Sequence, residues 1–127
     1  MKRILLMDDS EIFLAVARVA LESAGYEVVC ASDLAELASV REQTRGTLAL
    51  VLMDVQMPEV FGDDVAFTLR HSYGHTAPIY LLSSLDEADL AERVKWAEID
   101  GFISKNRGIE AVVETVQRIV GAAGVDA

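Results

Sequence analysis

Short apolar runs alternate with longer, helix-like segments along almost the whole chain. Five runs rich in Leu, Ile and Val predict buried strands, and they cover residues 3–7, 27–31, 48–53, 79–82 and 101–104. The segments between them repeat apolar residues with the period of a helix that packs on a sheet. Five strand–helix units in succession predict an α/β fold with a parallel sheet and helices on both faces.

Capping residues and glycines mark several helix ends. Ser10 is placed to cap the first helix, and Asp33 with Glu36 resembles a capping box for the second. A third helix is predicted after Gly62, and residues 86–97 predict a fourth. The apolar positions expected to define the five helical faces are Ile12, Val16, Val19 and Ala20; Leu34, Leu37 and Val40; Val65, Phe67 and Leu69; Leu90, Val94 and Ala97; and Ile109, Val112, Val113, Val116 and Ile119 or Val120.

Length and composition narrow the possible classes of protein. At 127 residues, with 52% hydrophobic residues, the chain suits one folded domain. No apolar stretch approaches the roughly 20 residues that span a bilayer, so we expect no membrane insertion. A net charge of −10 without a basic stripe disfavours direct nucleic-acid binding. The first apolar run is too short for a signal peptide and is followed by acids, which favours a cytoplasmic protein.

The end of the chain differs in character from the rest. Residues 1–121 are expected to form the domain, whereas residues 122–127 are expected to be a frayed tail or a truncated linker before a further domain. The single cysteine, Cys30, excludes an intrachain disulfide.

Three acidic residues follow two of the predicted strands. Asp8 and Asp9 come directly after the apolar residues 4–7, and Asp54 comes directly after residues 48–53. The carboxyl ends of parallel strands open onto the crevice in which α/β folds bind ligands. If these strands are neighbours, the three carboxylates repel and raise one another's pKa values unless a cation lies among them. Mg²⁺ suits a few carboxylates with waters and a phosphate, so the pattern predicts a Mg²⁺ and phosphoryl site.

Polar residues at two other strand ends fit the same chemistry. The fourth strand ends in Ser83-Ser84, where a hydroxyl is suited to donate to a phosphoryl oxygen, and Lys105 follows the fifth, where its ammonium is suited to neutralise an acyl phosphate. Among the acids, Asp9 and Asp54 are the expected direct Mg²⁺ ligands, with Asp8 holding a metal-bound water. The agreement of all these strand ends is more specific than any one of them alone.

Together these residues resemble the receiver domains of bacterial response regulators, over essentially the whole chain. The matching elements are the Asp8-Asp9 pair, Asp54-Val-Gln-Met57-Pro58 with Gly62 after it, Pro78 before the fourth strand, Ser83 at its end, and Phe102 three residues before Lys105. The resemblance implies a flavodoxin-like, doubly wound fold with sheet order 2-1-3-4-5. That order places the first and third strands side by side, as the argument from the acids requires.

The resemblance implies a signalling domain rather than an enzyme. Asp54 would be the phospho-acceptor, and Mg²⁺ would be held by Asp8, Asp9, Asp54 and the main-chain carbonyl of Gln56. The donor would be a histidine kinase or a phosphotransfer protein. Transfer needs in-line geometry and neutralised charge more than covalent help.

The resemblance also implies a conformational switch and residues that set the lifetime of the phosphoryl group. Ser83 and Lys105 would contact the phosphoryl group, and the rotamer of Phe102 would follow Ser83 as the loop moves inward. A downstream protein partner would then bind the face made by the fourth helix, the fifth strand and the fifth helix. Gln56 and Leu85 would flank the phosphoryl group and tune its lifetime; Leu85 is expected to exclude the hydrolytic water and so to prolong it.

Three positions depart from the family pattern. Lys105 is usually followed by a cis proline, but Asn106 follows here, and a cis bond to a non-proline residue costs about 2.5–4 kcal/mol, so we expect a trans bond. The fourth helix commonly ends in glycine, whereas Glu98 stands here, so we expect strain or a rebuilt turn. Ser83 replaces the commoner threonine with the loss of one methyl group.

Two other functions are open to the same residues. A degenerate receiver, acting as a phosphorylation-independent protein-interaction module, would normally lack an acid or the lysine; all are present, but Asn106 keeps the alternative open. A metal-dependent phosphatase would resemble Asp-x-Asp after the first strand, whereas this chain has Asp8-Asp9-Ser10 and no cap domain. A nucleotide-binding fold is disfavoured because no glycine-rich loop follows the first strand.

Overall fold

In the computed structural model, which describes residues 1–121, strands and helices alternate as the sequence pattern predicts. The strands are β1 (Arg3–Met7), β2 (Glu27–Ala31), β3 (Leu48–Met53), β4 (Ile79–Ser83) and β5 (Gly101–Ser104). The helices are α1 (Glu11–Ser23), α2 (Leu34–Gln43), α3 (Gly62–His71), α4 (Glu87–Ala97) and α5 (Ile109–Val120), with a 3₁₀ turn at Lys105–Arg107. The predicted tail, residues 122–127, lies outside the described residues. No helix within residues 1–121 has the length and apolar character needed to span a bilayer.

The sheet brings the first and third strands together. All strands are parallel in the order β2-β1-β3-β4-β5, and Met7 at the end of β1 pairs with Met53 at the end of β3. The residues that follow, Asp8 and Asp54, therefore leave the sheet at the same edge. The predicted α/β fold and strand order are confirmed, and the acids lie at the point where the strand order reverses, as ligand sites in such folds do.

Two apolar layers cover the sheet, one on each face. Leu50 and Leu52 of β3 belong to the layer shared with α1 and α5, whereas Val51 and Met53 belong to the layer shared with α2, α3 and α4. All four side chains are completely buried. Because successive side chains of a strand point to opposite faces, a strand covered on both sides needs an unbroken apolar run, which is the pattern seen in the sequence.

Helix α1 packs through a different face from the predicted one. Leu14 and Leu21 are buried against the sheet, whereas Ile12, Val16 and Val19 are 80%, 49% and 65% exposed. The prediction for this helix was therefore wrong. Both sides of α1 are apolar, and the face that packs on the sheet is the one that carries Leu14, Ala17 and Leu21. An apolar stripe on α1 is left facing outward.

Helix α4 ends in a left-handed residue that is not glycine. Glu98 has φ 56° and ψ 45°, and its backbone N–H donates to the carbonyls of Lys95 and Val94. The turn is therefore not rebuilt, and of the two expected outcomes the strained one holds, at a cost of about 1–2 kcal/mol. The Glu98 carboxylate lies 3.7 Å from Nε2 of His71 on the neighbouring helix α3.

The two ends of the described chain meet at the sheet edge opposite the acids. The Lys2 ammonium donates to the carbonyl of Val120, and the Tyr26 hydroxyl donates to the carbonyl of Gly121 at 2.7 Å. Lys2 directly precedes β1, whereas Asp8 directly follows it. The length of β1 therefore separates the joined ends from the acidic residues.

Candidate functional site

Three carboxylates converge where β1 and β3 end. Ligand oxygens of Asp8, Asp9 and Asp54 all lie within 4.8 Å of one another. Backbone hydrogen bonds extend the strand pairing by one residue, since the Asp8 N–H donates to the Ala31 carbonyl (3.1 Å) and the Asp54 N–H donates to the Met7 carbonyl (2.9 Å). The rigid part of the sheet, rather than a loose loop, thus holds the predicted acids together.

The three acids differ in which oxygens are free. Asp8 Oδ1 accepts a backbone N–H at 2.9 Å, and its Oδ2 accepts the Lys105 ammonium at 2.5 Å. Asp54 Oδ1 accepts the Val55 N–H at 2.9 Å. Within residues 1–121, no hydrogen bond engages the exposed Asp9 carboxylate or Oδ2 of Asp54. Free carboxylate oxygens of this kind are the donors that Mg²⁺ prefers, so the donor set fits that ion.

The pKa of Asp54 is higher than that of an ordinary aspartate. Its burial raises its pKa to about 6, Lys105 opposes the shift, and the neighbouring charges of Asp8 and Asp9 add to it. Only 6% of the residue is exposed. A cation placed among the acids would favour the ionised form and lower this pKa. Buried groups with strongly shifted pKa values concentrate at functional sites.

Lys105 reaches the acids although the family's proline is missing. Its Nζ lies 2.5 Å from Oδ2 of Asp8 and 3.6 Å from Oδ1 of Asp54, as predicted from its place after β5. The same nitrogen lies 4.1 Å from the centroid of the Phe13 ring. No signal in the sequence marked Phe13, because a phenylalanine in the first turn of an apolar helix is usually part of the core.

The turn after Lys105 is built by polar contacts. No peptide bond between residues 1 and 121 is cis, so the Lys105–Asn106 bond is trans, as predicted. The Asn106 backbone N–H donates to Oγ of Ser104 (3.1 Å), and its side-chain Nδ2 donates to the carbonyl of Ser84 (3.1 Å). Asn106 therefore links the turn that carries Lys105 to the loop that follows β4.

Ser83 ends β4, and Leu85 lies in the loop that follows. Ser83 is 1% exposed, and its Oγ accepts the Leu85 N–H at 3.2 Å. Because the hydroxyl accepts here, its own proton remains available for a ligand. The Leu85 side chain is half-buried against the core layer that includes Leu90. Leu85 therefore has a packing role, and its effect on the lifetime of the phosphoryl group stays a prediction.

A glycine brings the loop after β3 back to the acids. The Gly62 N–H donates to the Val55 carbonyl at 2.8 Å, and a Cβ at Gly62 would lie only 1.7 Å from the carbonyl oxygen of Asp54. Only glycine allows this approach of two backbone segments. Gln56, the predicted main-chain ligand, pairs with Phe61 in an isolated antiparallel bridge within the same loop.

Phe102 borders open space on the predicted output face. It is half-buried on β5 and lines a cavity of about 250 Å³ between α4 and α5. Arg107 and Glu87, which both line this cavity, form an ion pair of 3.0 Å. The other lining residues are Ile103, Ser104, Ala111, Thr115 and Arg118.

Comparison with known sequences identifies similar proteins over most of the chain. Residues 4–117 match the response regulator receiver domain. A curated protein from Brucella ovis, the polar-differentiation response regulator DivK, is 27% identical over 124 residues, which cover 96% of this chain and 98% of that protein.

Solved structures with the same fold are also similar in sequence. The chemotaxis protein CheY4 of Vibrio cholerae has a TM-score of 0.82 and 26% identity, and the alignment covers 94% of this chain and 98% of that one. The response regulator TrrA of Thermotoga maritima, in complex with Mg²⁺-BeF, has a TM-score of 0.76 and 28% identity, with 94% and 99% covered.

Proposed function

Because the chain belongs to the response regulator receiver domain family, we propose that it is a cytoplasmic phospho-acceptor in which Asp54 takes a phosphoryl group from a histidine kinase or phosphotransfer protein. The phosphorylated state then switches a protein-interaction surface. The family's domains are signalling components of two-component systems, and their reaction serves a change of state rather than the turnover of a substrate.

One observation carries the proposal: Asp8, Asp9 and Asp54 converge beside Lys105 where β1 and β3 end. The carboxylate of Asp9 and Oδ2 of Asp54 are free to bind a cation, and the TrrA structure, in complex with Mg²⁺-BeF, supports Mg²⁺ as that cation. Asp8 would hold a metal-bound water, and the Gln56 carbonyl would complete the site. When bound, Mg²⁺ supplies positive charge against the phosphoryl oxygens.

Asp54, Lys105 and Ser83 would each have a different role in phosphoryl transfer. The Asp54 carboxylate attacks phosphorus, so that a P–O bond forms while the donor's P–N bond breaks and the imidazole leaves with the electron pair. Lys105 neutralises negative charge that collects on the phosphoryl oxygens, and the Ser83 hydroxyl donates a hydrogen bond to one of them.

The switch would run from Ser83 to the outer face. Movement of Ser83 toward the phosphoryl group draws its loop inward, and Phe102 turns into the space that the loop leaves. Phe102 lacks the hydroxyl of tyrosine, so its inward state buries no polar atom in need of a partner. The cavity between α4 and α5 would then change shape, and the downstream partner would bind the face formed by α4, β5 and α5.

Incubation with acetyl phosphate tests the proposed function. With Mg²⁺, intact-mass measurement should show the addition of one phosphoryl group that is labile to hydroxylamine, as an acyl phosphate is; with excess EDTA, the addition should disappear. A stable adduct, or no adduct from acetyl phosphate or from a phosphorylated phosphotransfer protein, would contradict phospho-acceptance and leave the phosphorylation-independent interaction module as the function.

The two adjacent acids should differ in their effect on metal binding. Asp9→Ala is expected to weaken Mg²⁺ binding about tenfold or more, and more strongly than Asp8→Ala, because Asp9 offers a free oxygen whereas Asp8 binds Lys105 and acts through a water. Calorimetric titration of Mg²⁺ into both variants measures this difference. Equal losses, or a larger loss for Asp8→Ala, would contradict the assignment.

Leu85 should control how long the phosphoryl group lasts. Leu85→Glu is expected to accelerate its hydrolysis about tenfold, because a carboxylate can hold the attacking water in line whereas leucine excludes it. Decay of the intact-mass adduct in Mg²⁺ buffer gives the rate. Leu34→Glu, the same change at an exposed leucine on α2, is the matched control. Decay of the Leu85 variant at the control's rate or more slowly would show that Leu85 only packs against α4.

A further inference from the structure

The Lys105 ammonium lies between carboxylates on one side and an aromatic ring on the other. Its Nζ is 2.5 Å from Asp8 and 3.6 Å from Asp54, and it is 4.1 Å from the centroid of the Phe13 ring. Only 18% of the Lys105 side chain is exposed. A cation over the face of an aromatic ring is attracted by the ring's quadrupole, and the attraction grows when water is excluded.

The Phe13 ring is fixed independently of the turn that carries Lys105. Phe13 lies in the first turn of α1, where its backbone N–H donates to Oγ of the N-cap residue Ser10 at 3.2 Å. Its side chain is half-buried and packs against the core layer shared by α1 and α5. The ring therefore presents a rigid surface beside the acids.

The backbone alone does not determine where the ammonium lies. A lysine side chain is a flexible stem of four carbons that can place its charge at many points. Attraction to the acids is also a changeable restraint, since any cation bound among them repels the ammonium. In the described residues, Nζ contacts the carboxylates of Asp8 and Asp54 and the ring of Phe13. A cation bound among the carboxylates would compete with Nζ for them, but it would not compete for the uncharged ring.

We propose that Phe13 is a positioning residue for phosphotransfer, which holds the Lys105 ammonium beside Asp54 through a cation–π contact. The proposal rests on the proposed function, because the place of Lys105 affects transfer only if Asp54 is the acceptor. In this chain the ring contributes to holding a lysine that is followed by a trans bond to Asn106.

Two variants separate the ring's π face from its volume. Phe13→Leu keeps an apolar side chain but removes the aromatic π face. Phe13→Tyr keeps the aromatic ring and therefore the π face. In the metal-free protein, the ring current of Phe13 should shift the ε-methylene protons of Lys105 upfield in NMR spectra. We expect this shift to persist in Phe13→Tyr and to vanish in Phe13→Leu.

Chemical labelling gives a second readout that needs neither metal nor phosphodonor. The chain has three lysines, Lys2, Lys95 and Lys105, and acetylation of each can be followed by peptide mass mapping. Phe13→Leu should raise the labelling rate of Lys105 about threefold, the order expected for the loss of such a contact. The exposed Lys95 on α4 serves as the internal control and should label at the same rate in every variant.

A double-mutant cycle connects the contact to the reaction. With Mg²⁺ and acetyl phosphate, Phe13→Leu should slow phosphorylation about threefold to tenfold, and Phe13→Tyr should restore it. In a Lys105→Met background, Phe13→Leu should change the rate less than twofold, because the ring then has no ammonium to hold. An equal loss in both backgrounds would show that Phe13 acts only through packing and would overturn the inference.

The outcomes distinguish this inference from the proposed function. If the wild-type protein gains no phosphoryl group, the proposed function fails, while the NMR shift and the labelling rate still report whether the ring holds Lys105. If the wild-type protein is phosphorylated but Phe13→Leu leaves the NMR shift, the labelling rate of Lys105 and the phosphorylation rate unchanged, only the proposed role of Phe13 is wrong.

Discussion

Replacing Asp54 with asparagine is expected to abolish the acyl phosphate and, in the same molecule, to make the fold more stable at neutral pH. The loss of phosphorylation follows because an amide oxygen is not a nucleophile for phosphorus. The gain in stability follows from the pKa of Asp54, which burial raises from 3.8 to about 6. Ionising this buried group costs the folded state about 2–3 kcal/mol that the unfolded chain does not lose.

The sign of the effect sets the pH window. Between pH 4 and 6 the folded state binds more protons at Asp54 than the unfolded state does, so this group's contribution to stability falls as pH rises through that window. Asparagine carries no charge and keeps the oxygen that accepts the Val55 N–H. In EDTA, Asp54→Asn should therefore exceed the wild type by about 2–3 kcal/mol at pH 8 and match it near pH 4.

Urea denaturation of both proteins at the two pH values measures this difference. Asp64→Asn, which removes the same charge from an exposed position in the first turn of α3, is the matched control and should change stability by less than about 0.5 kcal/mol. A variant that is less stable than the wild type at pH 8 would show that ionised Asp54 does not destabilise the fold. A variant that still forms an acyl phosphate would show that Asp54 is not the acceptor.

Gly62→Ala is expected to destabilise the fold strongly, because it adds a methyl group where two backbone segments are in close contact. The new Cβ would lie 1.7 Å from the Asp54 carbonyl oxygen and 2.9 Å from Cγ of Met53. The first of these neighbours is backbone at the end of β3, so either the strand end or the start of α3 has to move. Overpacking of this kind costs about 3 kcal/mol or more.

The displacement should also reach the chemistry. Because Asp54 itself provides the obstructing carbonyl, its carboxylate shifts relative to Asp8, and both Mg²⁺ affinity and phosphorylation should fall. Urea denaturation and calorimetric Mg²⁺ titration measure the two effects. Gly46→Ala is the control: Gly46 has a positive φ of 74° but no atom within 4 Å of a new Cβ, so only the backbone term of about 1 kcal/mol is expected. Similar losses for both variants would contradict a steric role for Gly62.

The fold was predictable because its strongest signals are local. A buried parallel strand needs an unbroken apolar run, and the polar residue that ends the run marks the edge where ligands bind. This reasoning located Asp8, Asp54 and Lys105 correctly, because the ladder positions each of them within a residue of a strand end. The resemblance to receivers then added the order of the strands, which no local pattern contains.

The face of α1 was not predictable for an equally physical reason. Periodicity identifies a buried stripe only when the other side of a helix is polar. Glu11, Arg18 and Glu22 mark just one side of α1, and two apolar stripes remain. The choice between them depends on how each stripe fits over the sheet, which is a property of tertiary packing.

Contacts between side chains that are distant in the sequence could not be predicted either. The ring of Phe13 under Lys105 and the Asn106 side chain on the Ser84 carbonyl join residues on different elements, and each requires the finished fold to be seen. The proline missing after Lys105 correctly predicted a trans bond. It did not reveal that polar contacts would still place the ammonium beside the acids.

Lys2 and Val120 meet at the end of the sheet opposite the acids, which makes residues 1–121 suitable for protein engineering by circular permutation. The Lys2 side chain touches the Val120 carbonyl, so a short linker can join Gly121 to the start of β1, and new termini can open in the turn around Gly46, where a side chain would meet no other atom. In the protein that is not permuted, a fluorescent module fused after Gly121 would leave the fold at the end of the sheet opposite Asp54. A sensor built in this way would keep the acids accessible to a large phosphodonor.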